Sequence, residues 1–154
     1  MPKFSIDYQR SHDIDWFVKI GNIYVHAMSF GGELPSEVND RYKNTQVLLR
    51  AYRMPLLYED YAVNDEYVNG RLGGDGVVDR KAGKRERYLR HFKEMAARGF
   101  YSFDRDLQNE NVYHLIVRPA GMEIRNITFP DMPIITNVSL DWQSETNGIM
   151  HFNI

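Results

Sequence analysis

The sequence predicts an α+β fold: a single domain over residues 1–154, with an antiparallel sheet built on hairpins and two main helices packed on one face. Three observations predict it. A Gly-Asn pair near the N-terminus separates two runs of β-branched and aromatic residues. Two later stretches repeat apolar residues every three or four positions, and the last third returns to strand-like alternation. The length of 154 residues suits one domain with its own core.

The central element is a β-hairpin over residues 15–30, with Gly21 and Asn22 at its turn. Glycine in the first central position suits a type II′ turn, and a two-residue loop fixes the register of the strands. One face is then wholly apolar: Trp16, Val18, Ile20, Ile23, Val25 and Ala27. The other face is mixed: Asp15, Phe17, Lys19, Tyr24, His26 and Met28. We expect the apolar face to be covered by another element and the mixed face to be half solvated or to meet a partner.

Two elements flank this hairpin. Alternation over residues 3–8 predicts a first strand. Residues 34–53 are predicted as a helix, because Pro35 suits a first helical turn and Pro55 follows the end. An apolar stripe steps along it by three and four residues: Leu34, Val38, Tyr42, Thr45, Leu49 and Tyr52. This stripe makes the helix the first candidate to cover the apolar face of the hairpin.

The middle of the chain is less regular. Residues 56–83 show no clear period and become rich in glycine, so we expect 70–83 to be a flexible glycine-rich connection. Residues 84–98 are predicted as the second main helix, with Gly99 as its left-handed stop.

The last third is predicted to be β-structure. Residues 100–105 and 112–118 form a hairpin, 123–129 a further strand, and 134–142 and 149–154 a final pair. For this pair we favour a three-residue loop over 146–148, which places Phe152 opposite Trp142.

Composition limits the classes of function. The chain has no cysteine, which removes disulfides, thiol nucleophiles and cysteine zinc sites. No apolar run approaches the roughly 20 residues that span a bilayer, and residues 1–10 lack the apolar core of a signal peptide. We therefore expect a soluble, cytoplasmic protein without a membrane partner. A net charge of −2 argues against a surface devoted wholly to nucleic acid.

The first candidate site is the basic segment 80–98, in which eight Lys or Arg stand against two Glu. Arg80, Lys84, Arg87 and Arg90 are its candidate binding residues, because phosphate contacts dominate affinity for nucleic acid. The alternative is an ordinary solvated helix face, partly neutralised by the acidic segment before it.

Histidines give two further candidates. His26, His114 and His151 fall on the less apolar faces of their strands and could line one surface of a shared sheet. His12 and Asp13, followed by Asp15, could bind a divalent metal or perform acid–base chemistry; the alternative is a turn in which Asp13 accepts local backbone N–H groups. No nucleotide, calcium or H-E-x-x-H motif occurs, so the sequence assigns no cofactor and no metal ion.

These observations leave three functions open. The favoured one is a binding or accessory protein that docks on a macromolecular partner, a protein in the first place, through its tyrosine-rich surface and the charge-separated helix region. Phe17, Tyr24 and Met28 on the mixed face of the hairpin are its best patch. The first alternative is nucleic-acid binding through the basic helix over 80–98. The second is a hydrolase-type enzyme with a site assembled by the fold, although no catalytic motif is recognised. Its candidate catalytic residues are His12, Asp13, His26, His114 and His151.

Overall fold

The computed structural model describes residues 2–56, 60–73, 78–120 and 129–152, with side chains omitted for 78–82. In this part of the chain the order of elements is α1 (Ile6–Ser11), β1 (Asp15–Ile20), β2 (Ile23–Met28), α2 (Arg41–Tyr52), β3 (Tyr61–Val63), α3 (Asp65–Arg71), α4 (Val78–Ala97), β4 (Tyr101–Arg105), β5 (Val112–Pro119), β6 (Val138–Trp142) and β7 (Gly148–Phe152). The predicted α+β class is therefore confirmed.

All seven strands belong to one mixed sheet, in the order β1-β2-β4-β5-β7-β6, with β3 beside β5. β2 and β4 pair in parallel, whereas the other strand pairs are antiparallel. The prediction of a wholly antiparallel sheet is wrong on this point. Between these two strands, the described residues form α2, β3, α3 and α4, and the chain returns to the end from which β2 started.

The first hairpin has the predicted register, with Phe17 opposite His26 and Val18 opposite Val25. Gly21 has a φ of +56°, which the predicted turn requires. The apolar face is buried as predicted, but α2 does not cover it. The sheet curls, so that the ring centre of Trp16 in β1 lies 5.3 Å from that of Tyr113 in β5, three strands away in the sheet order. We call this face, which holds Trp16 and Val18, the inner face.

Leu34 and Val38 also pack in the inner core, but they precede the helix in which the sequence places them. Asp40 is the N-cap of α2, and its Oδ1 accepts a hydrogen bond from the backbone N–H of Lys43 at 3.1 Å. The predicted start of this helix at residue 34 is therefore wrong. α2 packs on the opposite, outer face of the sheet, where Val47 contacts the cluster around Phe17.

α4 also packs on the outer face, where Leu89 and Phe92 meet Ile116. It confirms the second predicted helix but begins at Val78, earlier than predicted. The sequence predicts a flexible connection over 70–83. In the structure α3 extends to Arg71 and α4 begins at Val78, so helices occupy both ends of this segment. Residues 74–77 lie outside the described part. In the described residues, no helix is both long enough and apolar enough to cross a membrane.

Predictions near the two ends of the chain are partly wrong. Residues 6–11 form a helix and not a strand, because the Ser5 hydroxyl caps it by accepting the N–H of Tyr8 at 3.1 Å. The final hairpin has a five-residue loop over 143–147, so Trp142 lies opposite Gly148 and Phe152 opposite Val138. The strand of that hairpin begins at Val138, later than predicted. The strand predicted over 123–129 lies almost wholly outside the described residues.

Candidate metal centre

Asp15, His26 and His91 meet on the outer face of the sheet. The Nε2 atom of His26 lies 2.8 Å from Oδ2 of Asp15, and the Nε2 atom of His91 lies 2.5 Å from the same oxygen. One ligand-type atom from each residue falls within 4.8 Å of the others. Within the described residues this is the group of His, Asp and Glu side chains whose geometry suits a metal ion.

Three elements bring these side chains together. The register of β1 and β2 places Asp15 two residues from Phe17, the partner of His26, so the two functional side chains are diagonal neighbours on one face. α4 crosses that face and contributes His91. Ser102 of β4 is the parallel neighbour of His26, and its Oγ lies 2.5 Å from Nδ1 of the imidazole.

The site is closed on the sheet side and open on the other. His26 is fully buried, with its ring centre 5.3 Å from Phe17 and 6.1 Å from Phe92. By contrast, 16% of the Asp15 side chain and 28% of the His91 side chain remain exposed. Asn44 of α2 holds the start of β1, because its amide donates to the Asp15 carbonyl oxygen at 2.8 Å. Solvent can therefore reach the carboxylate and one imidazole.

The carboxylate and the imidazoles shift one another's pKa values. Burial alone raises the pKa of Asp15, but the hydrogen bonds and charges of the two histidines outweigh it and hold that pKa well below its ordinary value. Burial lowers the pKa of His26 against the opposing effect of Asp15. The hydrogen bond to Asp15 raises the pKa of the more exposed His91. The centre therefore combines an ionised carboxylate, a neutral His26 and a His91 whose proton is stabilised.

Ser102 allows His26 to take either of two hydrogen-bonding states. When Nε2–H of His26 donates to Asp15, Nδ1 accepts the proton of the Ser102 hydroxyl. If Nε2 ligates a metal ion instead, Nδ1 carries the proton and donates to Ser102 Oγ. Metal-ligating histidines commonly donate their second ring N–H in this way, which fixes the orientation of the ring.

The donor set itself suits a divalent transition metal. Two imidazole nitrogens and one carboxylate oxygen are typical ligands of catalytic Zn²⁺ and of related ions. Three protein ligands leave coordination positions free, and the exposed side of Asp15 and His91 gives access to them. The residues present therefore fit such an ion.

Three further side chains lie near His91. The ring centre of Tyr52, the last residue of α2, lies 6.0 Å from that of His91. The guanidinium carbon of Arg98 lies 5.7 Å from the ring centre of Tyr52. Arg98 and the exposed Glu94 are both close enough to His91 to influence its protonation. Charged and aromatic groups therefore lie on the His91 side of the centre.

Of the segment His12-Asp13-Ile14-Asp15, only Asp15 reaches the centre. The His12 ring is exposed, stacks on Tyr8 with ring centres 3.8 Å apart, and approaches the Tyr8 carbonyl oxygen at 2.9 Å. Asp13 accepts a hydrogen bond at 2.8 Å from the backbone N–H of Phe30, a residue 17 positions away at the end of the hairpin and not in the local turn that the sequence offered as the alternative. His12 and Asp13 therefore do not belong to the cluster of Asp15, His26 and His91.

His114 and His151 lie on the outer side of their strands but do not join His26. Nε2 of His114 lies 2.8 Å from Oδ1 of Asp106, and Tyr67 stacks on its ring at 3.9 Å. His151 lies 3.8 Å from Asp141. Each histidine thus has its own carboxylate, and the surface predicted to hold three imidazoles is divided among separate pairs.

The basic segment is only partly neutralised. Arg85 pairs with Asp65 of the acidic segment, and Lys93 lies 3.8 Å from Glu86. Lys84, Arg87 and Arg90 are exposed on α4. The side chain of Arg80 is outside the described part.

The mixed face of the hairpin is largely covered. Phe17 is 1% exposed beneath α2, the Tyr24 ring stacks on Phe129 with centres 3.8 Å apart, and Met28 packs in the cluster beneath α4. The chain itself therefore occupies most of the surface on which the sequence placed a partner.

Sequence reasoning missed His91 and Ser102. His91 belongs to the predicted second helix, where it falls on the same side as the charged residues Arg87 and Glu94, although it also borders the apolar residues Phe92 and Met95. The diagonal relation of Asp15 and His26 was available from the hairpin register. The contribution of Ser102 depends on the parallel pairing of β2 and β4, which no local pattern indicates. Comparisons with protein-family models, curated proteins and solved structures found no match to this chain.

Proposed function

We propose that the protein is a metal-dependent enzyme of hydrolase type, in which Asp15, His26 and His91 hold a divalent transition metal such as Zn²⁺. The observation that carries this proposal is the approach of two imidazole Nε2 atoms, at 2.8 and 2.5 Å, to one carboxylate oxygen. His26 is fully buried, whereas the side chains of Asp15 and His91 are partly exposed. Both the donor set and the access resemble those of catalytic sites more closely than those of structural ones.

The chain's own residues have distinct tasks in this proposal. A bound ion would supply Lewis acidity and a lowered pKa for water. Ser102 orients the His26 ring through Nδ1, and Phe17 and Phe92 exclude water from its buried side. Glu94 is exposed beside His91, and we assign it as the carboxylate that accepts a proton from the attacking water.

Zinc binding tests the ligand set. Calorimetric titration of the native protein with ZnCl₂ should give one equivalent of tight binding, which the His91→Gln variant loses. Glutamine keeps a donor for Asp15 but removes the imidazole, so the variant should stay folded. His114→Gln is the matched control, because it breaks another His–Asp pair on the same sheet. Equal binding by native protein and His91→Gln would contradict the site.

Ser102→Ala tests the positioning role of the hydroxyl. Loss of a group that orients a ligand costs about 10- to 100-fold in metal affinity, so the variant should bind Zn²⁺ with reduced affinity and unchanged stoichiometry. Ser139→Ala, an exposed serine of β6, should bind as the native protein does. Unchanged affinity in Ser102→Ala would contradict the assigned role.

Turnover tests the enzymatic part of the proposal. The zinc-loaded protein should hydrolyse members of a panel of p-nitrophenyl esters and phosphoesters, and His91→Gln should abolish this activity. Glu94→Gln should retain zinc and lower kcat. Zinc binding without turnover of any ester, phosphoester or amide would contradict the hydrolase assignment while leaving the metal site intact.

The other two functions stay predictions. Nucleic-acid binding would depend on Lys84, Arg87 and Arg90, which are exposed. Protein docking would depend on a surface other than the covered face around Phe17.

A further inference from the structure

The outward face of α2 carries large apolar side chains that the described part of the chain leaves substantially exposed. Tyr42 is 67% exposed, Leu49 52% and Tyr52 43%. The inward face buries smaller groups instead, chiefly Asn44, Val47 and Ala51. α2 therefore presents more apolar bulk to solvent than an ordinary surface helix does, since such a helix turns its largest apolar residues toward the core.

The exposed residues follow a regular spacing. Tyr42, Thr45, Leu49 and Tyr52 are separated by three, four and three positions, so they form one narrow stripe along the helix. This is the spacing of the apolar seam in two-helix packing, where each side chain fits between residues of a facing helix. The stripe thus has the shape of a surface that receives another helix.

The charged residues of α2 itself all have one sign, whereas Glu94 of α4 lies near Tyr52 at the end of the stripe. Arg41, Lys43, Arg50 and Arg53 are exposed, and residues 41–53 contain no Asp or Glu. Flanking charges of this kind set the choice of partner in helix pairs. A partner helix with acidic flanks is attracted, and one with basic flanks is repelled.

We propose that α2 docks an acidic amphipathic helix of another protein, with its apolar side chains against Tyr42, Leu49 and Tyr52. Pairing of α2 with a second copy of itself would set four cations against four cations, which opposes self-association. Single-stranded nucleic acid stacks on aromatic rings, but the centre of this stripe is the aliphatic Leu49. The surface is separate from the proposed ligands Asp15, His26 and His91, although Tyr52 borders both.

Two synthetic helical peptides test the proposal. Both carry leucine at the seam positions; one has glutamate at the flanking positions and the other has lysine. Titrated against the full chain and followed by fluorescence anisotropy, the glutamate peptide should bind at least about tenfold more tightly than the lysine peptide. Its affinity should fall as salt is raised.

Variants locate the interaction. Leu49→Ser should weaken binding of the glutamate peptide about tenfold or more, as removal of a central apolar contact does at interfaces. The double variant R41E/R53E should reverse the preference between the two peptides. Leu107→Ser is the control, because Leu107 is 50% exposed in the loop after β4. Circular dichroism establishes that each variant is folded.

Three outcomes would overturn the proposal. The first is no binding of the glutamate peptide, or equal binding of both peptides. The second is a single-stranded oligonucleotide that binds while neither peptide does. The third is self-association in sedimentation equilibrium that Leu49→Ser abolishes, which would make the stripe a contact between copies. None of these measurements depends on metal or turnover, so failure of the docking proposal and failure of the proposed enzyme are distinguishable.

Discussion

His26 and His91 hydrogen-bond the same carboxylate oxygen yet have pKa values shifted in opposite directions. The difference arises from burial: the His26 side chain has no exposed surface, whereas 28% of the His91 side chain is exposed. Burial disfavours the imidazolium, so it dominates at His26, while the hydrogen bond to Asp15 dominates at His91. One carboxylate can thus hold a neutral and a charged histidine side by side.

The shift at His91 predicts a pH dependence of stability without metal. The pKa of His91 is higher in the folded state than in the unfolded state, where it is near 6.5. Its pairing with Asp15 therefore stabilises the folded protein to the full extent below about pH 6.5. This contribution is lost as pH rises through the folded-state pKa. Urea unfolding with EDTA from pH 5 to 9 measures the free energy by which the native protein is more stable than His91→Gln. This difference should be largest at pH 5 and should decrease toward pH 9.

His26 has the opposite sign. Its lowered pKa makes stability fall as pH drops below about 6.5. Burial, the largest cause of this shift, is common to native protein and His91→Gln, whereas the smaller effect of the His91 charge on His26 is lost in the variant. His114→Gln serves again as a control for the loss of a histidine. An excess stability that grows toward pH 9 would contradict the raised pKa of His91.

At the scale of elements, one glycine fixes the register of the last hairpin. Gly148 lies opposite Trp142, and a Cβ atom at this position would come 2.9 Å from Cζ3 of the indole. The ring therefore lies over the glycine, and the loop extends over 143–147. A three-residue loop would displace this contact, which explains why turn preferences alone predict the wrong register.

A pair of glycine substitutions tests this packing. Gly148→Ala should lower the free energy of unfolding by about 1–3 kcal/mol, because the added methyl group forces the indole to move. Gly70→Ala should raise it by up to about 1 kcal/mol, since Gly70 is helical in α3 and nothing lies within 4 Å of the added atom. Urea unfolding measures both, and equal effects would contradict the packing argument.

α2 shows why the sequence predicts a helix but assigns it the wrong face. Two sets of residues are spaced for a helical stripe, and the bulkier set with Tyr42 and Leu49 is the obvious candidate for burial. The structure buries Asn44 instead, because its amide donates to the Asp15 carbonyl oxygen, and the small Ala51 lets the helix approach Phe17. Neither requirement is visible until the hairpin and the helix are placed together.

For the whole molecule, local patterns predict the strands, and long-range pairing decides their arrangement. The hairpin of β1 and β2 and the antiparallel pair of β4 and β5 follow from alternation and turn residues, and both are confirmed. The parallel pairing of β2 with β4 and the curl that brings Trp16 to Tyr113 involve residues far apart in sequence. The same division holds for the candidate site. The hairpin positions Asp15 and His26, which the local pattern predicts. The connection between β2 and β4 positions Ser102 and His91, which it does not.

A pair of leucine substitutions tests the placement of the core inside the curl. Leu115→Ala, at a fully buried position of the inner cluster, should cost about 2–5 kcal/mol of unfolding free energy. Leu49→Ala, on the outward face of α2, should change it by less than about 0.5 kcal/mol. Chemical denaturation of the two variants measures the difference. A large cost for Leu49→Ala would mean that the outward face of α2 is buried.

The parallel contact between β2 and β4 also determines the order in which parts of the chain can fold. Val25 finds its neighbour Tyr101 only after residues 29–100 have been synthesised and arranged. The first hairpin therefore leaves the ribosome long before the strand that completes its surroundings, and Trp16, Val18 and Ala27 stay uncovered in the interval. A nascent chain halted before residue 100 should bind hydrophobic-surface chaperones that the finished protein ignores.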